Sequence, residues 1–108
     1  MAFDETLAER VRKRLDAVPF EERKMFGGLA FMVNGHMCCG ILNDRLVVRL
    51  DPDEAQKLLS RAHVSQMDFT GRPMRGYLYV AAAGLKTGAQ LASWLERSVR
   101  FVKTKPPK

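Results

Sequence analysis

The sequence predicts an α+β fold: an antiparallel sheet of about five strands with helices packed on one face, in the order α-βββ-α-ββ-α. Three observations carry this expectation. Residues 24–51, KMFGGLAFMVNGHMCCGILNDRLVVRLD, are apolar runs divided by two-residue turn signals. Asn34-Gly35 suits a type I′ turn, which needs positive φ at both positions, and Asn43-Asp44 is a second pair that tolerates left-handed backbone. Phe3, Leu7, Val11, Leu15 and Val18 recur every three or four positions and form one stripe of an amphipathic helix over 3–18. Asp51-Pro52-Asp53-Glu54 and Thr87-Gly88-Ala89-Gln90 read as two further helix starts, each with a capping residue and a Glu or Gln three positions on.

Taken in order, the first helix carries acids early (Asp4, Glu5, Glu9) and bases late (Arg12, Lys13, Arg14), which complements its dipole, and Pro19 ends it. Three strands follow. Leu29, Phe31 and Val33 share a face and Met32 points the other way, while Leu46, Val48 and Leu50 alternate with Arg45, Val47 and Arg49. Gly27-Gly28 within a strand pattern marks a bulge or the close approach of another backbone. The second helix has Ala55, Leu58, Leu59 and Ala62 for its core face. Tyr77-Leu78-Tyr79-Val80 is a β-prone run that pairs with Met67–Thr70 across a GRPMRG turn (71–76), with Asp68 in a turn-forming role. Leu91, Trp94, Leu95, Val99 and Val102 face the core from the last helix, and a frayed basic tail occupies 104–108.

At 108 residues the chain is expected to be one domain spanning 1–108, long enough to bury roughly two-thirds of its unfolded surface without cross-links. The N-terminal segment has no apolar core of a signal peptide, and no apolar run approaches the roughly 18 residues that span a bilayer. A cytoplasmic location and no membrane partner are expected. Residues 1–68 hold ten Lys/Arg against eleven Asp/Glu; residues 69–108 hold eight against Glu96 alone, so the whole net charge of +6 comes from the last third. Such asymmetry draws a polyanion or an acidic partner; its bland reading is solubility.

No catalytic set assembles. Asp51, Asp53 and Glu54 are explained by capping, and no nucleophile elbow, P-loop or dinucleotide fingerprint occurs. Cys38 and Cys39 are adjacent, so on a regular strand they point to opposite faces, one of them buried, with no disulfide between them. His36 and Cys38 share a face, with His63 as a conceivable third ligand, but two ligands are too few and no metal or cofactor is expected. GRPMRG is the most suggestive element: Arg72 and Arg75 could offer a fork to phosphate or carboxylate, with Gly76 allowing close backbone approach. The competing reading is a plain turn with solvated arginines, or arginines paired with Asp68. Arg97, Arg100, Lys103 and Lys105 would extend the basic surface if the turn lies beside the last helix.

Met25-Phe26-Gly27-Gly28, then Asn34-Gly35 and Arg45-Leu46, and further on MDFTGRPMRGYLYV (67–80) resemble the TfoX N-terminal domain family. These are small bacterial α+β domains named after regulators of natural competence; the resemblance covers nearly the whole chain and fits a short stand-alone member. The two-domain regulators of that family carry a further C-terminal helical domain, which is not represented here. What the resemblance implies is a non-catalytic interaction module, a transcription or competence co-regulator acting through a protein partner. The alternative is direct, non-sequence-specific binding of nucleic acid through the basic C-terminal third, and a small enzyme ranks last. A homodimer through a bare sheet face or a sheet edge is a further expectation.

Overall fold

Local signals start and stop most of the elements. The computed structural model describes residues 3–106 except 17, 26, 70 and 71, with residues 69 and 72–74 described by backbone alone. Helix α1 (Glu5–Arg14) is capped by Asp4, whose carboxylate accepts from the Thr6 and Leu7 amides at 2.8 and 3.2 Å. It is shorter than the 3–18 stripe; Phe3 lies before it, bridged to Asn43, and Val18 beyond it. Four strands follow: β1 (Glu21–Met25), β2 (Gly28–Val33), β3 (His36–Leu42) and β4 (Arg45–Arg49). Then come α2 (Pro52–Leu58), β5 (Val64–Phe69), β6 (Arg72–Val80), a single 3-10 turn and α3 (Gly88–Lys103). Thr87 and Gln90 close the expected capping box at 3.0 and 3.1 Å. At α2, Asp51 accepts from the Asp53 amide, whereas Glu54 turns away from the cap toward Arg97.

Among the described residues the strands form one antiparallel sheet in the order β1-β2-β3-β4-β6-β5. That is one strand more than about five. The extra strand is β1, sequence EERKM, whose five residues are all exposed. An edge strand wet on both sides has no apolar alternation to read, and its charges guard the open edge. Asn34 (φ 54°) and Gly35 (φ 81°) make the first turn as expected. Gly27 (φ 77°) lies in the β1–β2 turn, and Gly28 opens β2 where a Cβ would collide with the Ile41 carbonyl oxygen. The Gly27-Gly28 pair thus marks a close backbone approach rather than a bulge.

The bulge falls elsewhere, and it corrects the cysteine reading. Phe31 pairs with Cys39 but Met32 with Met37, so Cys38 is an extra residue in β3. The inserted residue breaks the alternation, and both thiols enter the same core, fully buried. The Cys38 contact and burial together push the Cys39 thiol well above its ordinary range. GRPMRG is likewise not a turn: β6 begins at Arg72, and Asp68 sits within β5, its carbonyl accepting from the Tyr79 hydroxyl at 3.3 Å. Thr70 and Gly71 lie outside the described residues.

The three helices cover one face. Leu7 and Val11 of α1 with its C-cap Leu15, Ala55 and Leu58 of α2, and Leu91, Trp94, Leu95 and Val102 of α3 bury against Phe31, Ile41, Leu46, Val48, Leu78 and Val80. Each fully buried large side chain contributes about 1.5–3 kcal/mol. Arg12 ties α1 to the edge strand through a two-point bridge to Glu22, at 2.7 and 2.9 Å. That hydrogen bond lowers the Glu22 pKa and raises that of Arg12.

Three outcomes follow from these contacts. Gly28→Ala should lower the melting temperature more than Gly27→Ala: the first drives a methyl into rigid backbone, while the second meets open space and costs only about 1 kcal/mol for its left-handed φ. Thermal denaturation of both variants, with the order reversed, would contradict the assigned approach of β2 to β3. Neither thiol should react with an aromatic disulfide reagent in the native state, and both should react in denaturant. Glu22→Gln should cost about 0.2–1 kcal/mol at neutral pH, both partners being partly exposed. Because the folded pKa of Glu22 is lowered, this contribution is complete above about pH 5 and disappears as pH falls through the lowered value. Denaturant titrations of wild type and variant from neutral to acid should therefore converge.

Candidate interaction surface

A groove lies between the C-terminal end of α1 and α3. Arg10 sets their relation: its guanidinium donates to the Leu85 carbonyl at 2.6 Å, just before α3 begins. Leu15, Val18, Ala92, Leu95 and Val99 give the groove an apolar lining, and its volume is about 430 Å³, within the range of ligand and peptide clefts. Arg14 stands at one end, its guanidinium lying over Gly88, and Arg100 and Lys103 at the other; Glu96 is the one acid in the lining. These three cations project from the last turns of their helices, where they answer the carbonyl ends and keep their charge in water.

The basic residues singled out in the sequence are distributed over separate places. Arg100 and Lys103 meet in the groove, joined by Arg14 from the other end of the chain. Arg97 turns to the opposite side of α3, half-buried 3.6 Å from Glu54 and 5.8 Å from the centre of the Trp94 ring. Its Nε is buried without a hydrogen-bond partner among the described residues, so it is built into the α2–α3 contact. Arg75 is exposed and lines a small cleft beside Pro52, Asp53 and Gln56 of α2. Gly76 (φ 84°) is buried, its carbonyl accepting from the Leu50 amide at 2.7 Å. Lys105 lies 5.2 Å over the Phe101 ring. The Arg72 side chain lies outside the described residues.

Of the family-type residues, Met25 is 39% exposed at the end of β1, Gly27, Gly28, Asn34 and Gly35 hold the two turns, and Phe26 lies outside the described residues. His36 meets the Pro106 carbonyl at 2.8 Å. Among the described residues no group of three or more His, Cys, Asp or Glu could hold a metal ion, and no helix is long and apolar enough to cross a membrane.

Sequence reasoning missed one surface. On the sheet face away from the helices, Arg45 lies 3.8 Å over the Tyr79 ring; Arg49, at the end of β4, lies 5.6 Å from the centre of the Tyr77 ring and also 5.8 Å from that of Phe101 in α3. The signal was present as two alternations, Arg45-Val47-Arg49 and Tyr77-Tyr79. Only the β4–β6 pairing, with Arg49 opposite Tyr77 and Val47 opposite Tyr79, makes them one patch.

The geometry agrees with the comparison to known proteins. No curated protein matches the chain. The family model described as the TfoX N-terminal domain matches residues 14–102, from the end of α1 through nearly all of α3. This span includes every strand and both glycine turns, and by it the chain belongs to the TfoX N-terminal domain family.

Proposed function

We propose that the domain is a non-catalytic interaction module of the cytoplasm, docking an acidic segment of a protein partner in the service of transcriptional regulation. The observation that carries this reading is the α1–α3 groove, an apolar floor with cations at both ends. An amphipathic helix with carboxylates on its flanks fits such a surface: its apolar stripe gains from burial, and its charges meet Arg14, Arg100 and Lys103 at the rim. The distribution of the other cations favours a protein over a nucleic acid. A phosphate backbone is best held by a continuous run of free cations, and here Arg97 is committed to Glu54 and Trp94 while Arg75 lies beside α2.

The double variant Arg100→Glu/Lys103→Glu tests this. Both side chains are exposed, so its stability should change by no more than about 1 kcal/mol. Tagged wild-type protein should retain an acidic protein from native extract after nuclease treatment, and the variant should lose it. Loss of all bound material on nuclease treatment would overturn the reading in favour of nucleic acid. In that case affinity should fall with salt by about 0.7–0.9 logarithmic units per neutralised phosphate.

A further inference from the structure

We propose that the uncovered face of the sheet is a second docking surface, which takes an apolar, carboxylate-bearing segment of a protein partner. This rests on the reading of the domain as an interaction module, but not on the α1–α3 groove, which lies on the other side of the sheet.

Strand alternation and register fix the composition of this face. Met25, Met32, Met37 and Met67 all fall on it, four of the chain's six methionines. Met25 is the large apolar residue most exposed among those described, and Met32, Leu42 and Tyr77 are half-buried around a small second core of Ala30, Met37, Val47, Met67 and Tyr79. Arg45 and Arg49 are the charged groups that strand alternation puts here from the central strands; on the edge strand, Glu21 is paired with Arg23 at 3.5 Å. Methionine, tyrosine and arginine are the residue types enriched where proteins meet, and lysine and acids are depleted there. Methionine also adapts its shape to a partner at little cost. Beside the β2–β3 turn a concavity of about 430 Å³ opens between Pro19, Phe20, Met32 and Asn34-Gly35, with Arg23 and its ion-pair partner Glu21 both on its rim. It can receive an apolar anchor side chain beside a charge.

Charge and burial select the occupant. A second copy would set Arg45 and Arg49 against their own equivalents, with no carboxylate in the central strands to answer them, and like charges brought together in an interface are costly. Bases of a single strand need open ring faces on which to stack, whereas Tyr79 is 5% exposed beneath Arg45. A peptide that carries both apolar side chains and carboxylates meets the methionines and the arginines together. With the groove on the helical side, the domain then has a contact on each side of one sheet and can bridge two segments.

The methionines themselves report on binding. A synthetic amphipathic peptide, leucine along one face and glutamate along the other, is titrated into protein carrying isotope-labelled methionine and leucine methyls. The methyls of Met25, Met32 and Met37 should shift. Arg45→Gln/Arg49→Gln should weaken that response by about tenfold, and Arg100→Glu/Lys103→Glu should leave it in place. Should the arginine variant fold poorly, Met32→Glu on the half-exposed surface provides the repelling charge instead. Sheet-face methyls unmoved at up to about 1 mM peptide, shifts confined to Leu15 and Leu95, or shifts that follow protein concentration without peptide would each overturn the proposal. Loss of the sheet-face response in the groove variant would do the same. A silent groove with a responding sheet face would reject the groove reading and leave this one standing.

Discussion

β4 and β6 form the one strand pair of the sheet whose members are not neighbours in sequence, and the rest of the molecule depends on it. The other pairings are local: β1 to β4 run as a meander with two-residue turns, and β5 and β6 form their own pair. Local pairings close short loops at small entropic cost, whereas β4–β6 must close over α2 and β5. Its register, with Leu46 opposite Val80 and Val48 opposite Leu78, completes the apolar floor on which the helices rest. The same register sets Tyr77 and Tyr79 beside Arg45 and Arg49 on the other side. One set of hydrogen bonds thereby defines both the core and the uncovered face.

The two faces solve the same problem differently. On one, helices exclude water from aliphatic side chains. On the other, Tyr79 and Tyr77 pack with Met37, Val47 and Met67 in a small second core, and the guanidiniums of Arg45 and Arg49 lie against the two rings, so that groups with a charged or polar end border an apolar layer. Such a border can be moved by rotating a side chain, where lifting a helix would break a core. The groove on the helical face forms where α1 stops short: Leu15 and Val18 continue its stripe beyond the last helical turn, and the gap beside α3 is left open.

Charge placement follows a related logic. The excess of cations in the last third looks like one block in the sequence, but a helix distributes it around its circumference. Arg97 and Arg100, three residues apart, end in different environments: one inward at Glu54 and Trp94, the other outward over the groove. Arg14, from the balanced first half, completes the groove that Arg100 and Lys103 begin. A net charge therefore says which sign of partner is attracted, and the packing decides where that partner can sit.

What the sequence determined by itself was local. Asn34-Gly35, Asp51-Pro52 and Thr87 to Gln90 state their turn and caps through backbone chemistry that needs no distant partner, and the stripes of α1 and α3 state which side will be buried. Of the TfoX-type residues Asn34-Gly35 is one of these signals, while Met25–Gly28 and the block 67–80 made the family legible by their order along the chain. Tertiary structure alone decided the rest. The strand at Glu21–Met25 exists because β2 offers it an edge, not because its charged residues prefer to be extended. Cys38 joins Cys39 in one core because β2 and β3 slip by a residue between Phe31 and Met32, and Gly76 leaves a supposed turn for a strand beside Leu50. The arginine–tyrosine face needs β4 beside β6, and the groove needs α1 beside α3. Both are brought together by burying apolar area that is distant in the chain, a force with no direction of its own, so no short stretch of residues could have announced them.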